Sequence, residues 1–258
     1  MIKKIIKNFL KKLDLIVLNK ENFLDLNIQK FKNNLSMESN HEKEISIESL
    51  LSHFSKNYKN SHGQLMQDLF VDYILDKDQG FFIEIGACDG LVHSNTYWLE
   101  KKRNWKGILC EPSEFWIQKL KKNRSKSIIE TKPIFNNSKK KVNFNIKKGG
   151  RSFISHKNET ENNNIKQLDS ISINELISNY NVVEIDYLSI DTEGSEFEII
   201  KDLNFKKFKP SIITVEHNYD KLKRNQLFCL LKKNNYTRVF KSISRFDDWY
   251  VDNNILSN

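Results

Sequence analysis

The chain has 258 residues, of which 42 are Lys or Arg and 33 are Asp or Glu, so its formal net charge is +9. A hydrophobic fraction of 38% with 17 Phe and 4 Trp residues can supply a core, which excludes a fully disordered, collagen-like or low-complexity protein. The length predicts one large domain, or one domain with a small appendage. The charge is weak evidence for a nucleic-acid partner, because Lys, which has A/T-rich codons, makes up all but six of the 42 cations.

The cysteines and the hydropathy pattern predict the compartment. Cys88, Cys110 and Cys229 form no C-x-x-C pair and are odd in number, which favours reduced thiols over a disulfide framework. No run approaches the roughly 20 apolar residues of a membrane span, and the N-terminus lacks the apolar segment and cleavage site of a secretory signal. We therefore expect a cytoplasmic protein.

Residues 2–17 have the spacing of a basic amphipathic helix. Apolar residues from Ile2 to Val17 recur every three or four positions, with five Lys residues on the opposite face. Such a helix lies on an anionic surface, here the inner face of the membrane, or it packs against the domain or a partner. Residues 1–44 are predicted to be this helix and a polar linker. Residues 45–258 are predicted to be the folded domain, with a helical lead-in at 45–80 and a core at 81–258.

From residue 80 onward, short apolar runs alternate with amphipathic segments, which is the pattern of a parallel sheet with crossover helices. Strands are predicted at 81–86, 107–111, 126–130, 185–190 and 211–216, and helices at 96–103, 113–123, 194–203 and 220–233. Two closing strands, at 236–241 and 248–252, have no helix between them. Five parallel strands with an antiparallel C-terminal hairpin are the layout of a class I methyltransferase, a Rossmann-like doubly wound α/β fold.

The segment 135–165 interrupts this alternation. It is polar, but Val142, Phe144 and Ile146 alternate with other residues in the manner of a strand. We expect a β-excursion here, beside the active site.

The first candidate binding loop is Glu84-Ile-Gly-Ala-Cys-Asp-Gly90, at the end of the first predicted strand. Its glycines allow close approach to a ligand and backbone angles that other residues avoid. Their G-x-x-x-G spacing differs from the G-x-G-x-x-G of nicotinamide- and flavin-binding loops. The acid before the glycines suits a ligand with a cationic end, such as S-adenosylmethionine.

Other strand ends carry titratable residues. Glu111 follows the second strand, where an acid can accept hydrogen bonds from both ribose hydroxyls of a nucleoside. Asp191, at the end of the fourth strand, is expected to face the transferred methyl group. His217, after the fifth strand, is the candidate general base, with a buried core histidine as the alternative.

The acids Asp191, Glu193 and Glu216 are the candidates for a divalent metal site. However, Glu193 and its neighbour Glu196 can equally be solvated acids in the first turn of a helix, where the helix dipole favours them. We expect no bound metal.

Six motifs occur in order between about Ser61 and Val251. They are Gly80-Phe-Phe-Ile-Glu-Ile-Gly-Ala-Cys-Asp-Gly90, Ser94-Asn95-Thr96, Trp105-Lys-Gly107, Glu111-Pro112, Leu168-Asp169 and Tyr187-Leu-Ser-Ile-Asp-Thr-Glu-Gly-Ser-Glu196. Together they resemble the FkbM family of S-adenosylmethionine-dependent methyltransferases. The resemblance implies a class I fold and, most often, O-methylation of a sugar or polyketide hydroxyl in glycan or natural-product pathways. Cys88 departs from the Asn that is common in the family.

The predicted site combines these motifs with the strand-end positions. The cofactor-binding residues are expected to be Glu84, Gly86, Ala87, Asp89, Gly90, Asn95, Glu111, Pro112, Ile134, Asn136 and Asp191. The glycine loop is assigned to the methionine part, Glu111 to the ribose and the segment near Ile134 to Asn136 to the adenine. Asp191 or His217 is predicted to take the proton of the acceptor hydroxyl.

Two other functions stay open as alternatives: an RNA ribose methyltransferase, and a catalytically silent, membrane-associated scaffold of a glycan-assembly complex. Pro112, Pro133 and Pro210 are each followed by Ser or Ile, which excludes the motifs of DNA amine and cytosine-C5 methylation. No basic, aromatic platform for single-stranded nucleic acid stands out. The retained strand-end acids argue against a silent scaffold. We therefore expect a small hydroxyl-bearing acceptor and no nucleic acid.

Overall fold

The computed structural model describes residues 46–136, 141–146, 152–155, 165–241 and 243–256. The helices are α1 (Ile47–Asn57), α2 (Gln67–Leu75), α3 (Tyr97–Lys102), α4 (Glu114–Asn123), α5 (Ile173–Asn179), α6 (Glu196–Asp202), α7 (Lys221–Lys233) and α8 (Asn253–Leu256), with a 3-10 turn at Tyr58–Asn60. The strands are β1 (Phe81–Ile85), β2 (Lys106–Cys110), β3 (Ile128–Glu130), β4 (Lys141–Asn145), β5 (Phe153–Ser155), β6 (Ile165–Asp169), β7 (Tyr187–Ile190), β8 (Ile212–Glu216), β9 (Tyr236–Val239) and β10 (Asp247–Asp252).

The central sheet has seven strands in the order β3-β2-β1-β7-β8-β10-β9. The first five of these are parallel to one another. The second strand of the C-terminal hairpin, β10, is inserted between β8 and β9 and is antiparallel to both. This topology confirms the predicted fold, and each predicted strand of this sheet agrees with the observed one to within two residues at either end.

Helices cover both faces of the sheet. On one face, side chains such as Phe82 and Tyr187 pack with α1 to α4. On the other face, their neighbours Ile83 and Leu188 pack with α5 to α7. Because these strands are buried on both faces, they read as continuous apolar runs, and the sequence therefore identified them directly.

The lead-in helices α1 and α2 belong to the same core as the sheet. Phe54 and Phe70 are completely buried, and the ring of Phe70 stacks on Trp249 of β10 with 4.6 Å between ring centroids. The lead-in helices therefore pack against the same sheet whose carboxyl-end edge is the ligand-binding edge in open α/β folds.

The expected β-excursion is confirmed as an antiparallel sheet in the order β5-β4-β6. The sequence pattern did not predict β6 or the short helix α5 that follows it. A signal for α5 was present, because Ser172 caps the helix by accepting the N–H of Glu175 at 3.1 Å. This is the S-x-x-E pattern of a helix start.

Among the described residues, no helix combines the length and the hydrophobicity that a bilayer crossing needs. The amphipathic helix predicted at residues 2–17, and the linker up to residue 44, lie outside the described residues. Their contact with a membrane or with a partner stays a prediction.

Candidate active site

Acidic side chains lie together at the carboxyl ends of the central strands. Asp191 directly follows β7, and its backbone N–H donates to the Ile85 carbonyl of β1 at 2.9 Å. Glu216, the last residue of β8, lies opposite Asp247, the first residue of β10. Glu193 lies in the loop after β7. Ligands bind at this edge in open α/β sheets, so it is the candidate active site.

Asp191 and Glu216 form a hydrogen-bonded carboxyl pair. Asp191 is open to solvent and Glu216 is buried, and one oxygen from each, with one from Glu193, lie within 4.8 Å of one another. Desolvation by the surrounding protein raises the pKa of both carboxyls above their usual range, and the negative charge of neighbouring acids adds to the shift. Two carboxylates this close share one proton near neutral pH.

Asp247 and Gln67 are site residues that the sequence analysis missed. Gln67, the first residue of α2, donates from Nε2 to Asp247 Oδ2 at 2.6 Å, and both side chains are buried. Burial raises the pKa of Asp247 to about 8. Asp247 falls one position before the predicted strand at 248–252, and Gln67 is a polar residue on an otherwise apolar helix face. That interruption of an apolar face was the available signal.

The three residues named as metal candidates are brought together by the structure. Asp191, Glu193 and Glu216 offer only carboxylate oxygens, a donor set that suits Mg²⁺ or Ca²⁺ rather than softer metals. The expectation that the chain binds no metal is not tested by this geometry and stays a prediction.

Glu196 is not the solvated first-turn acid that one interpretation expected. Its side chain is completely buried, and Oε1 accepts the backbone N–H groups of Thr192 at 3.1 Å and Gly194 at 2.9 Å. Its Oε2 lies 3.0 Å from Lys223 Nζ of α7. Glu196 therefore fixes the loop that carries Asp191, because one carboxylate oxygen accepts both of these loop amides.

Glu84 is buried within β1 and its carboxylate is occupied by protein donors. It accepts the hydroxyls of Ser94 at 3.0 Å and Thr96 at 2.5 Å, and the backbone N–H of Asn95 at 2.9 Å. Burial raises the pKa of Glu84, although Arg124 and these hydrogen bonds oppose the rise. The structure thus places Glu84 as the anchor of the segment 94–96, beneath the predicted cofactor site.

The two loop glycines are required by packing within the protein. Gly86 has a φ of +92° and Gly90 a φ of +70°, which confirms the expected left-handed backbone. A Cβ atom on Gly86 would overlap the carbonyl oxygen of Asp191, and one on Gly90 would lie 2.5 Å from Leu120 Cδ1 of α4. Glycine is therefore needed at both positions because a side chain would overlap the end of β7 or α4, and not only because a ligand approaches the loop.

Two other predicted residues shape the same loop. Asp89 accepts the backbone N–H groups of Leu91 at 2.9 Å and Val92 at 2.8 Å through Oδ1. Ala87 is buried, and its N–H donates to the Cys110 carbonyl of β2 at 3.1 Å. Both contacts tie the loop to itself or to the sheet, so the loop has a fixed shape before any ligand binds.

Glu111 follows β2 as predicted and faces the glycine loop. Its two carboxylate oxygens accept the backbone N–H groups of Cys88 at 2.9 Å and Ser113 at 2.8 Å, and half-buried Pro112 separates Glu111 from Ser113. Burial raises the pKa of Glu111 to about 7. A carboxylate can accept about four hydrogen bonds, so Glu111 keeps acceptor capacity for further donors.

The segment predicted to contact adenine divides between core and cleft. Ile134 is buried and pairs with Ile171 in an isolated parallel bridge, so its side chain lies in the core. Asn136 donates to Glu198 of α6 at 2.7 Å. A cleft of about 480 Å³ begins there; its lining is Phe135, Asn136, Gly194, Phe197, Glu198, Asp220, Leu222, Lys223 and Gln226.

His217 is not brought to the open side of the carboxyl cluster. Its imidazole is completely buried, its Nδ1 accepts the backbone N–H of Tyr219 at 3.0 Å, and its Nε2 lies 3.8 Å from Asp248. Burial lowers the pKa of His217. This geometry favours the alternative, a core histidine that supports the turn after β8, and the assignment of His217 as general base stays a prediction.

One family model matches more than half of the chain. The model of the methyltransferase FkbM domain family matches residues 84–250, a range that includes the acids of the site from Glu84 to Asp247 but not Gln67. No curated protein sequence matches the chain.

Solved structures resemble the chain only in outline. An FkbM methyltransferase from Methylobacillus flagellatus KT is 12% identical with a TM-score of 0.47, and the match covers 79% of this chain but 59% of that one. An O-methyltransferase from Bacillus cereus in complex with SAH is 11% identical with a TM-score of 0.42, over 97% and 98% of the two chains. Similarity at this level does not identify the reaction. The family assignment follows from the matched domain, and the chain belongs to the FkbM family of S-adenosylmethionine-dependent methyltransferases.

Proposed function

We propose that the chain transfers a methyl group from S-adenosylmethionine to a hydroxyl of a sugar in a surface glycan or of a natural product. One observation carries the choice of a hydroxyl: the Asp191–Glu216 carboxyl pair at the open edge of the sheet, with pKa values raised above the usual range. A neutral alcohol is a poor nucleophile, and a general base for it works best with a pKa near the working pH.

The residues present fit the cofactor at two points. Asn95 is buried, its N–H and its Nδ2 are bonded to Glu84 and Ser189, and its Oδ1 has no partner among the described residues. An unpaired buried carbonyl oxygen is costly, and an ammonium group of a ligand is a suitable donor for it. Glu111 has acceptor capacity for two ribose hydroxyls. S-adenosylmethionine offers both kinds of donor and, when bound, supplies the activated methyl group.

The adenine end of the site is assigned to the cleft beside Asn136. The ring of Phe135 and the amide of Asn136 line it, which provides an apolar surface and a hydrogen-bonding group. Pockets for nucleosides combine these two features. The buried side chain of Ile134 acts by holding this segment to Ile171, not by contact with the base.

Asp191 is the proposed proton acceptor, and Glu216 tunes it. Asn218 donates to Glu216 at 2.8 Å, which orients the partner carboxyl. When the acceptor oxygen displaces the cofactor sulfur from the methyl carbon and leaves S-adenosylhomocysteine, a carboxylate oxygen of Asp191 would accept the hydroxyl proton. The fixed loops on either side, held by Glu84 and Glu196, keep the reacting groups aligned, and alignment is a main contribution to a displacement of this kind.

The test combines binding with a labelled transfer assay. We expect calorimetry to show binding of S-adenosylmethionine, and methyl-labelled cofactor to label methyl glycosides or surface-glycan fractions in a base-stable ether linkage. D191N is the matched control, because it keeps the shape of the side chain and removes the proton acceptor. Labelling of RNA instead would favour the ribose-methyltransferase alternative, and absence of cofactor binding would favour the silent scaffold.

A further inference from the structure

A completely buried cation lies beside the glycine loop. Arg124, directly after α4, has no exposed side-chain surface. The chain uses Arg at only six of its 42 cationic positions, so an Arg here is informative. A guanidinium presents five N–H donors in a planar fork, which a Lys ammonium cannot reproduce.

The guanidinium of Arg124 joins three separate points of the cofactor-loop region. Nη1 donates to the Gly90 carbonyl at 3.1 Å and to Ser94 Oγ at 3.0 Å, and Nη2 donates to Thr96 Oγ1 at 3.0 Å. Nε donates to Glu100 Oε2 of α3 at 2.7 Å. Three of these bonds hold the segment 90–96 against the end of α4, and the fourth ties the same guanidinium to α3.

The same hydroxyls connect Arg124 to the strand beneath. Ser94 and Thr96 accept from Arg124 and donate to Glu84, whose Oε2 lies 3.9 Å from Arg124 Nη1. Glu84 also accepts the N–H of Asn95. A continuous hydrogen-bonded network thus runs from α4 through the loop to β1, and Asn95 carries the unpaired Oδ1.

The stem of Arg124 also fits the loop. A Cβ atom on Gly90 would lie 2.6 Å from Arg124 Cγ, so the stem occupies the space that a side chain at position 90 would need. The loop and Arg124 are therefore shaped to each other, and loss of the fork leaves the loop without its main cationic partner.

We infer that Arg124 is the positioning residue of the cofactor loop, through the four hydrogen bonds that join Gly90, Ser94 and Thr96 to α3 and α4. This inference rests on the proposed use of S-adenosylmethionine. Arg124 is buried beneath the loop and does not touch the ligand. It acts by fixing the backbone at Gly90 and the amide of Asn95.

The test is R124K, which keeps the charge and removes the fork. In the full chain we expect binding of S-adenosylmethionine to weaken by about tenfold or more, as expected when a preorganised site is loosened. We also expect the backbone amides of residues 87–96 to exchange hydrogen faster, measured on the protein without ligand. The matched control is R103K. Arg103 donates from its guanidinium to the buried carboxylate of Asp72 in α2, outside the cofactor loop. This variant should change neither quantity by more than about twofold.

The outcomes separate this inference from the proposed function. If wild-type protein fails to bind the cofactor, the proposed function is wrong, while the exchange rates still decide the role of Arg124. Unchanged affinity or unchanged loop exchange in a folded R124K would overturn the inference. If R124K does not fold, S94A and T96V each remove one receiving group and leave the cation in place. Each variant is then expected to speed hydrogen exchange in the loop, and an unchanged exchange rate in both would overturn the positioning role of Arg124.

Discussion

Gly86 lies directly against Asp191: a Cβ atom on Gly86 would overlap the Asp191 backbone carbonyl oxygen, and Gly86 adopts a φ of +92°. The contact joins the cofactor loop to the strand end that carries the proposed base. We predict that G86A displaces one of the two, abolishes cofactor binding and lowers the free energy of unfolding by roughly 2 kcal/mol or more, as strain and overpacking together require. Denaturant unfolding and calorimetry measure both effects.

Gly194 provides a matched control for that substitution. It also has a positive φ, of +139°, but no heavy atom lies within 4 Å of a Cβ built on it. G194A should therefore cost only the backbone term, about 1 kcal/mol. Equal destabilisation by the two substitutions would show that the clash with Asp191 has no special weight.

The Asp191–Glu216 pair predicts a shift in the pH dependence of turnover. Asp191 must be ionised to accept a proton, so the rate should rise as the pH rises through its pKa. The hydrogen bond with Glu216 lowers the pKa of Asp191 against the larger rise from desolvation. E216A removes this bond and should therefore move the limb to higher pH while the enzyme stays active. D191N should lower kcat by about 100-fold or more, the usual loss of a general base. An unmoved limb in E216A would contradict the coupling.

Glu111 predicts that cofactor binding depends on pH. Its pKa is raised to about 7 by burial, whereas hydrogen bonds from ribose hydroxyls favour the ionised form. Binding should therefore strengthen as the pH rises from about 6 to about 8 and should release a proton. Calorimetry in buffers of different ionisation enthalpy measures that proton. E111Q should bind more weakly and without the proton release, and wild-type-like affinity in this variant would rule out the ribose role.

The sequence predicted the parts of this site that depend on local pattern. Strand ends such as Glu111 and Asp191 follow apolar runs that are buried on both faces, so their common edge could be inferred from the parallel sheet alone. The Gln67–Asp247 bond joins residues 180 positions apart, and no local pattern encodes such a pair. The role of Arg124 was not predicted either, because Arg124 follows a helix whose other cations are exposed lysines.

The sequence pattern also did not predict the direction in which side chains point. His217 follows β8 at the edge where Asp191 follows β7, and position alone made both candidates for catalysis. The turn through Asn218 and Tyr219, both with positive φ, directs the Tyr219 N–H to the imidazole and buries it. Such consecutive left-handed residues are uncommon, and the pattern of apolar residues does not predict them.

The acids of the candidate site predict that the ligand-free protein is most stable at mildly acidic pH. Five carboxyls in and beneath the candidate site have raised pKa values: Glu84, Glu111, Asp191, Glu216 and Asp247. The folded state therefore binds more protons than the unfolded state between the unfolded and the folded pKa values, and stability falls as the pH rises through that window. The melting temperature should be higher near about pH 6 than near about pH 8. D247N should flatten this dependence, whereas E114Q at an exposed position should not.

His217 provides the test that separates a supporting residue from a catalytic base. Its Nδ1 accepts the Tyr219 N–H, and an Asn side chain can place its oxygen near the same point. We predict that H217N keeps the pH dependence of kcat and most of its value, because Asp191 remains the proton acceptor. H217L offers no acceptor and should lower the free energy of unfolding by about 1–3 kcal/mol, the usual cost of an unpaired buried donor. Loss of the rising limb of the pH profile in a folded H217N would instead return the role of base to His217.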